Sequence, residues 1–250
     1  PFINNKAAKD SGAINVGYNR VATITQSTFI NNTANTAKDD YKGDAISNSG
    51  KLTINYCVLL TNANNSIIYT DSEYTTNAQY NWWGSNDDPK SLNGVGTYED
   101  EWYEDAESEL DSSNWVVMNV TTDMIDDTVI VDDTVEITVD FNNYIDSHNA
   151  LQPLAEKIPA VNVSASAING ELDNSVATTS EGIAKFVYTA SVSGEDVINI
   201  TSSNATVLIP LFVDVAAEGG IIYVSPNGDD AKDGLTKKNA VKTLAHAVEI

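Results

Sequence analysis

Short stretches in which apolar and polar residues alternate run along most of this chain, the pattern of half-buried strands. Val21-Ala22-Thr23-Ile24-Thr25 and Lys51-Leu52-Thr53-Ile54-Asn55 alternate in this way, and turn-formers such as Asn48-Ser49-Gly50 separate the stretches. The pattern also repeats. Gly12 to Asn32 recurs as Asp44 to Asn62, with Ile14 matching Ile46, Ile24 matching Ile54 and Phe29 matching Leu59. An earlier copy survives as Phe2-Ile3-Asn4-Asn5, so the period is 27 to 32 residues. A unit of this length with several strands and no helical patterning predicts one coil of a parallel β-helix, in which matching positions stack about 4.8 Å apart. Ile24 with Ile54, and Phe29 with Leu59, are expected to stack inside. Asn32 and Asn62 are expected to form a column at a turn, with a structural role. Cys57 aligns with Ser27 and reads as a small buried stack position.

The pattern changes twice further on. Asn81-Trp82-Trp83-Gly84-Ser85-Asn86-Asp87-Asp88-Pro89 ends the repeats. Exposed tryptophans can bind sugar, but an open coil end is an unpaired edge over an apolar interior and must be covered, so a lid is the favoured reading. The acidic run from Tyr98 to Asp111 reads as a solvated connector. From Trp115 follow alternating stretches at 115–120, 134–141, 161–165, 183–190, 196–200 and 207–213, which predict a β-sandwich with Phe186 inside. Ile221–Ser225 then reads as a strand and Pro226–Asp230 as a turn. Asn239 to Val248 reads as an amphipathic helix with Val241, Leu244, Ala245 and Val248 on one face. With no coil for that face to cover, this last segment is expected to be the least stable part of the chain.

Composition narrows the function classes. The chain has 250 residues, enough for one or two domains with their own cores. Its 13 Lys+Arg against 36 Asp+Glu give a net charge of −23, and Arg20 is the only arginine, so there is no basic stripe for nucleic acid. The longest apolar run, Val207 to Val213, is broken by Pro210 and is far short of a membrane span. Cys57 is the sole cysteine, which excludes an intrachain disulfide. Both termini read as cut from a longer polypeptide.

Candidate chemistry is sparse. Arg20, His148 and His246 fall in different parts of the chain, and acid pairs such as Asp39-Asp40 read as solvated turns. Asp229 to Gly234 imitates the start of a calcium loop, but its third position is Ala231 and its twelfth is Ala240. The doublets Asp126-Asp127 and Asp132-Asp133, otherwise ordinary hairpin ends, are the remaining candidates for a calcium that stiffens a junction. No catalytic, cofactor or metal residue is assigned, and no cofactor is expected. Asn31, Asn64, Asn119, Asn162, Asn199 and Asn204 open Asn-x-Ser/Thr sequons and are the candidate glycosylation acceptors.

Asn81 to Asn86, following coils that carry Phe-Ile-Asn-Asn, resembles the coil terminus of adhesin-like surface proteins from methanogenic archaea. Thr179-Ser180-Glu181-Gly182-Ile183-Ala184-Lys185-Phe186 is similar to the Thr-x-x-Gly-x-Ala-x-Phe signature of bacterial Ig-like modules. Ile222 to Asp230, with Asp233-Gly234-Leu235-Thr236 and Lys242-Thr243-Leu244, resembles the opening of a pectin-lyase-like β-helix. The resemblance implies an all-β chain: a right-handed parallel β-helix, an Ig-like β-sandwich, then the start of a second β-helix with its capping helix. The corresponding boundaries are 1–97 for the coils, 98–114 for an acidic linker, 115–214 for the sandwich and 219–250 for the second, truncated β-helix.

The function expected is a non-enzymatic cell-surface adhesin segment, a stalk that presents a binding face to an extracellular glycan or protein, with no membrane contact of its own. Enzymes of the pectin-lyase-like fold use acidic calcium ligands with a basic proton acceptor, or clustered aspartates with a histidine and an arginine. A fragment of such a carbohydrate-active enzyme, with its catalytic coils elsewhere, is the alternative. A purely structural cell-envelope spacer is a third reading.

Overall fold

The computed structural model describes residues 1–8, 11–34, 43–60, 66–71, 73–92, 94–97, 109–215 and 221–249. It is an all-β molecule with a single short helix among those residues. Asn62, Asn64, Asp39-Asp40 and most of the acidic run lie outside them.

Residues 2–111 form strands of two to five residues, all paired in parallel. Phe2, Phe29 and Leu59 are register partners in one sheet. Ile14, Ile46, Ile68 and Val95 are partners in a second, and Ala22, Leu52, Thr76 and Leu110 in a third. Ile24 pairs with Ile54 as the repeat requires, although Ile24 is only half-buried while Ile54 is sealed. Glu109–Asp111, inside the expected connector, pairs with Thr75–Asn77 and so adds a rung. The core between these sheets holds Phe29, Ile46, Leu52, Ile54, Leu59 and Ile68, with the Phe2 ring stacked on Phe29 at 4.7 Å.

Two local devices keep the register. Gln26, Tyr56, Tyr80 and Asn114 all have positive φ, so the backbone turns the same left-handed corner on successive rungs. Tyr56 N–H bonds to Tyr80 carbonyl and Tyr80 N–H to Asn114 carbonyl, linking those corners. Asparagine amides do the same elsewhere: Asn5 Nδ2 donates to Asn32 Oδ1 at 2.8 Å, and Asn32 Nδ2 donates to the Phe2 carbonyl at 2.9 Å.

Residues 115–214 fold as two facing five-stranded sheets. One contains Trp115–Thr122, Thr134–Ile145, Ile183–Thr189 and Glu171–Leu172, with Leu151–Pro153 added to Thr134–Ile145. The other runs Thr128–Ile130, Ala205–Asp214, Gly194–Ser202, Asn162–Ala167 and Val176–Thr178. All pairings are antiparallel except that of Thr128–Ile130 with residues 212–214. Alternation does what the sequence pattern expects: Val135, Ile137, Val139 and Phe141 point inward from one strand, and Phe186 is fully buried opposite them.

The last segment departs from expectation. Residues 221–225 do not form a strand; Val224 alone makes a bridge, to Val241. The helix is Leu244–Glu249, not 239–248. Val241 is held out of it because its N–H bonds to the Tyr223 carbonyl and its carbonyl accepts from Ser225 N–H. Thr243 takes the N-cap position, its Oγ1 accepting from His246 N–H at 3.2 Å. Leu244, Ala245 and Val248 are exposed, whereas Val241 is sealed, so the expected four-residue face does not exist as one surface.

Candidate functional site

The Asn81–Asn86 stretch is where the two halves meet, and five of its six residues have separate tasks. Asn81 is fully buried and satisfies three backbone groups. Its Nδ2 donates to the carbonyls of Ile54 and Ala78, and its Oδ1 accepts from Cys57 N–H at 2.9 Å. Trp82 and Trp83 are consecutive in extended chain, so their side chains leave on opposite sides. Trp83 enters the core of the parallel sheets, and Trp82 enters the core of the sandwich, where its ring meets Phe141 edge-on at 5.0 Å. Neither tryptophan is an exposed sugar platform. Sequence reasoning found the lid but not that it closes two cores; the adjacency of the tryptophans carried that signal.

Gly84 sits at φ +83°, and a Cβ there would come within 2.8 Å of Leu60 and 3.2 Å of Ser203. Its carbonyl accepts the N–H groups of Asn204 and Ala205, pinning the 202–205 hairpin to the Asn81–Asn86 stretch. Asn86 closes the joint on the other sheet. The strand Trp115–Thr122 slips register between Val117 and Asn119, and the Asn86 carboxamide bonds both Met118 backbone groups, accepting at 2.7 Å and donating at 3.0 Å. Trp115 Nε1 donates to the Asn86 carbonyl. Around this joint Tyr56 stacks on Tyr80, and Tyr80 meets Tyr144 of the sandwich edge-on at 5.0 Å.

A cleft of about 340 Å³ opens beside the joint. Ile30, Val58 and Leu60 line it from the parallel sheets, and Val161, Asn162 and Ser164 from the sandwich. Thr201, Ser202 and Ser203 complete the wall. Among the described residues no ionisable side chain lines it.

The sequons divide by environment. Asn162 and Asn204 are exposed, Asn162 at the cleft and Asn204 one residue beyond it. Asn31, Asn119 and Asn199 are half-buried, and Asn199 Oδ1 is sealed without a hydrogen-bond partner. Asn64 lies outside the described residues.

At the far end of the sandwich, a second cavity of about 220 Å³ is shared with the final segment. Lysines pair with the acidic groups at this end, Asp126 of the first candidate calcium doublet among them. Lys238 Nζ bonds Asp123 at 2.7 Å and the Thr134 carbonyl, and Lys237 pairs with Asp126. The Lys237 hydrogen bond draws the Asp126 carboxyl below its ordinary value. Burial works to raise Asp123, but the Lys238 and Glu136 N–H bonds override it and the net shift is downward. Asp133 is pushed up by burial. In the calcium-loop imitation, Asp230 accepts Lys242 N–H and Thr243 N–H, and Asp233 accepts Leu235 N–H. Among the described residues no three His, Cys, Asp or Glu side chains are grouped to hold a metal.

Among the described residues the candidate catalytic side chains are not brought together. Arg20 lies in an exposed turn of the parallel sheets, His148 in an exposed sandwich loop and His246 on the terminal helix. Cys57 is buried, and desolvation pushes its thiol up to about 11, so it is a packing residue and not a nucleophile.

No family model matches the chain, and no curated protein matches it. Among solved structures it is similar to the D0-D1 domain of intimin, at 17% identity and TM-score 0.30, covering 45% of this chain and 58% of that one. It is also similar to domains 4-9 of the surface layer protein SbsC, at 15% identity and TM-score 0.29, covering 46% of this chain and 16% of that one. A glycosyl hydrolase family 2 member from Bacteroides cellulosilyticus matches at 15% identity and TM-score 0.31, covering 42% and 15%. At these levels the likenesses bring no site or activity to this chain. No helix among the described residues is long and apolar enough to cross a membrane.

Proposed function

We propose that the parallel sheets are coils of a right-handed parallel β-helix, that residues 115–214 are an Ig-like module fused to it, and that residues 219–250 open a second β-helix. On this reading the chain is a non-enzymatic segment of a cell-surface adhesin, a stiff stalk that presents a binding face outside the cell. The observation that carries it is the two-core joint. Trp82 and Trp83 lock coils and sandwich to each other through buried side chains, where a flexible linker would serve an enzyme's accessory module equally well. Stacked coils suit a stalk because each added rung lengthens the rod without a larger core. A strongly acidic surface keeps such a rod soluble and separate from its neighbours.

Antibodies raised against the chain test the location. Labelling of intact source cells before permeabilisation is the expected result. Labelling that needs permeabilisation would overturn the surface assignment.

A further inference from the structure

We infer that the cleft between the coils and the sandwich is a binding site for an uncharged glycan. Its two sides come from different modules, the setting in which ligand pockets concentrate, and its volume of about 340 Å³ is within the range of small-molecule sites. The floor is apolar: half-buried Ile30 and Leu60 offer the C–H surface on which a sugar ring's own C–H face packs, and Val58 and Val161, nearly sealed, complete it.

The wall above that floor is polar and uncharged. Ser164 and Thr201 are register partners on adjacent strands, which puts their hydroxyls side by side. Neither they nor Ser203 spend their hydroxyls on an intramolecular hydrogen bond. Asn162 Oδ1 is held by Thr178 Oγ1 at 2.8 Å, which fixes the amide and leaves its Nδ2 free to donate. Hydroxyls that both donate and accept, beside an amide donor, match the mixed hydrogen-bonding of sugar hydroxyls. The exclusion of charge sharpens the assignment. In a chain of net charge −23, a lining with no cation among the described residues offers uronates and sulfated sugars nothing to offset the surrounding field, so neutral sugars are selected.

The assignment rests on the surface reading for the supply of glycan, but the cleft can fail without it. The test is a methyl NMR titration of the full chain, produced without N-linked glycan. The probes are glucose, galactose, N-acetylglucosamine and their β-linked disaccharides, with glucuronate and galacturonate as anionic counterparts. Saturable shifts at the Ile30 and Leu60 methyls with a neutral sugar, absent with its uronate, are expected. Ser164→Phe, at an exposed strand position, should abolish them, and Thr201→Val should weaken binding about tenfold, with methyls of the sandwich core unmoved in both. No saturable shift with any neutral probe, equal response to the uronates, or full binding by Ser164→Phe would each overturn the site. An empty cleft in a chain that still labels intact cells removes the site and keeps the stalk; labelling confined to permeabilised cells removes the stalk whatever the titration shows.

Discussion

Asp196 is the residue on which one end of the sandwich depends. It is buried, and its carboxylate accepts from the backbone N–H groups of Ile168, Asn169, Gly170 and Val197 and from the Tyr188 hydroxyl at 2.7 Å. Burial alone would raise its pKa; the Tyr188 and backbone donors overcome that and hold it below the ordinary value. A depressed folded pKa gives stability that is fully present above the unfolded value of about 3.9 and is lost as pH falls through the folded one. Asp196→Asn should cost about 3 kcal/mol near neutral pH, since several charge-assisted bonds are weakened at once. Urea unfolding followed from about pH 7 to pH 3 should show the difference from wild type shrinking at the acid end. A difference that does not change with pH would refute the role. Nothing in the local sequence marks Asp196, because its partners other than Val197 lie 8 to 28 residues away. Cys57 and Phe186 were legible, because repeat alignment and strand alternation act through near neighbours.

Strands and their registers were legible wherever a period held. The repeat placed Phe29 on Leu59 and Ile24 on Ile54, and the pairings are those. Elements whose form is set by distant partners were not. The expected helix from Asn239 loses its first turn because Tyr223 and Ser225 claim Val241, a tertiary contact that outweighs an amphipathic pattern. The same segment was expected to lack a docking partner, yet Lys237 and Lys238 attach it to Asp126 and Asp123. These pairs are about half exposed, so each contributes no more than about 1 kcal/mol and is screened by salt. Hydrogen exchange should therefore report a weak latch. Replacing both lysines with alanine, or raising salt to about 1 M, should speed exchange across residues 221–241 and leave residues 134–145 unchanged. Exchange in 221–241 that is indifferent to both changes would mean that the ion pairs do not hold the segment.

At the scale of the whole molecule, the central feature is that the parallel sheets and the sandwich do not have separate interiors. Val58 of the parallel sheets and Trp82 of the joint belong to the sandwich core, and Trp83 and Trp115 pack with the core of the parallel sheets. The sequence shows two modules because the pattern changes at Trp115. It does not show their fusion, since a shared core has no period of its own. Trp82 Nε1 has no hydrogen-bond partner, so its value lies in apolar volume. Trp82→Ala should cost about 3–5 kcal/mol, and Trp82→Phe much less. The most direct measurement is the spin–spin distance distribution between nitroxides at Tyr18→Cys, on the parallel sheets, and Val192→Cys, on the sandwich, both exposed sites, with Cys57 buried and inert. One narrow distribution in the native protein, broadened by Trp82→Ala, is the expected result; a broad distribution in the native protein would contradict a fused, rigid pair.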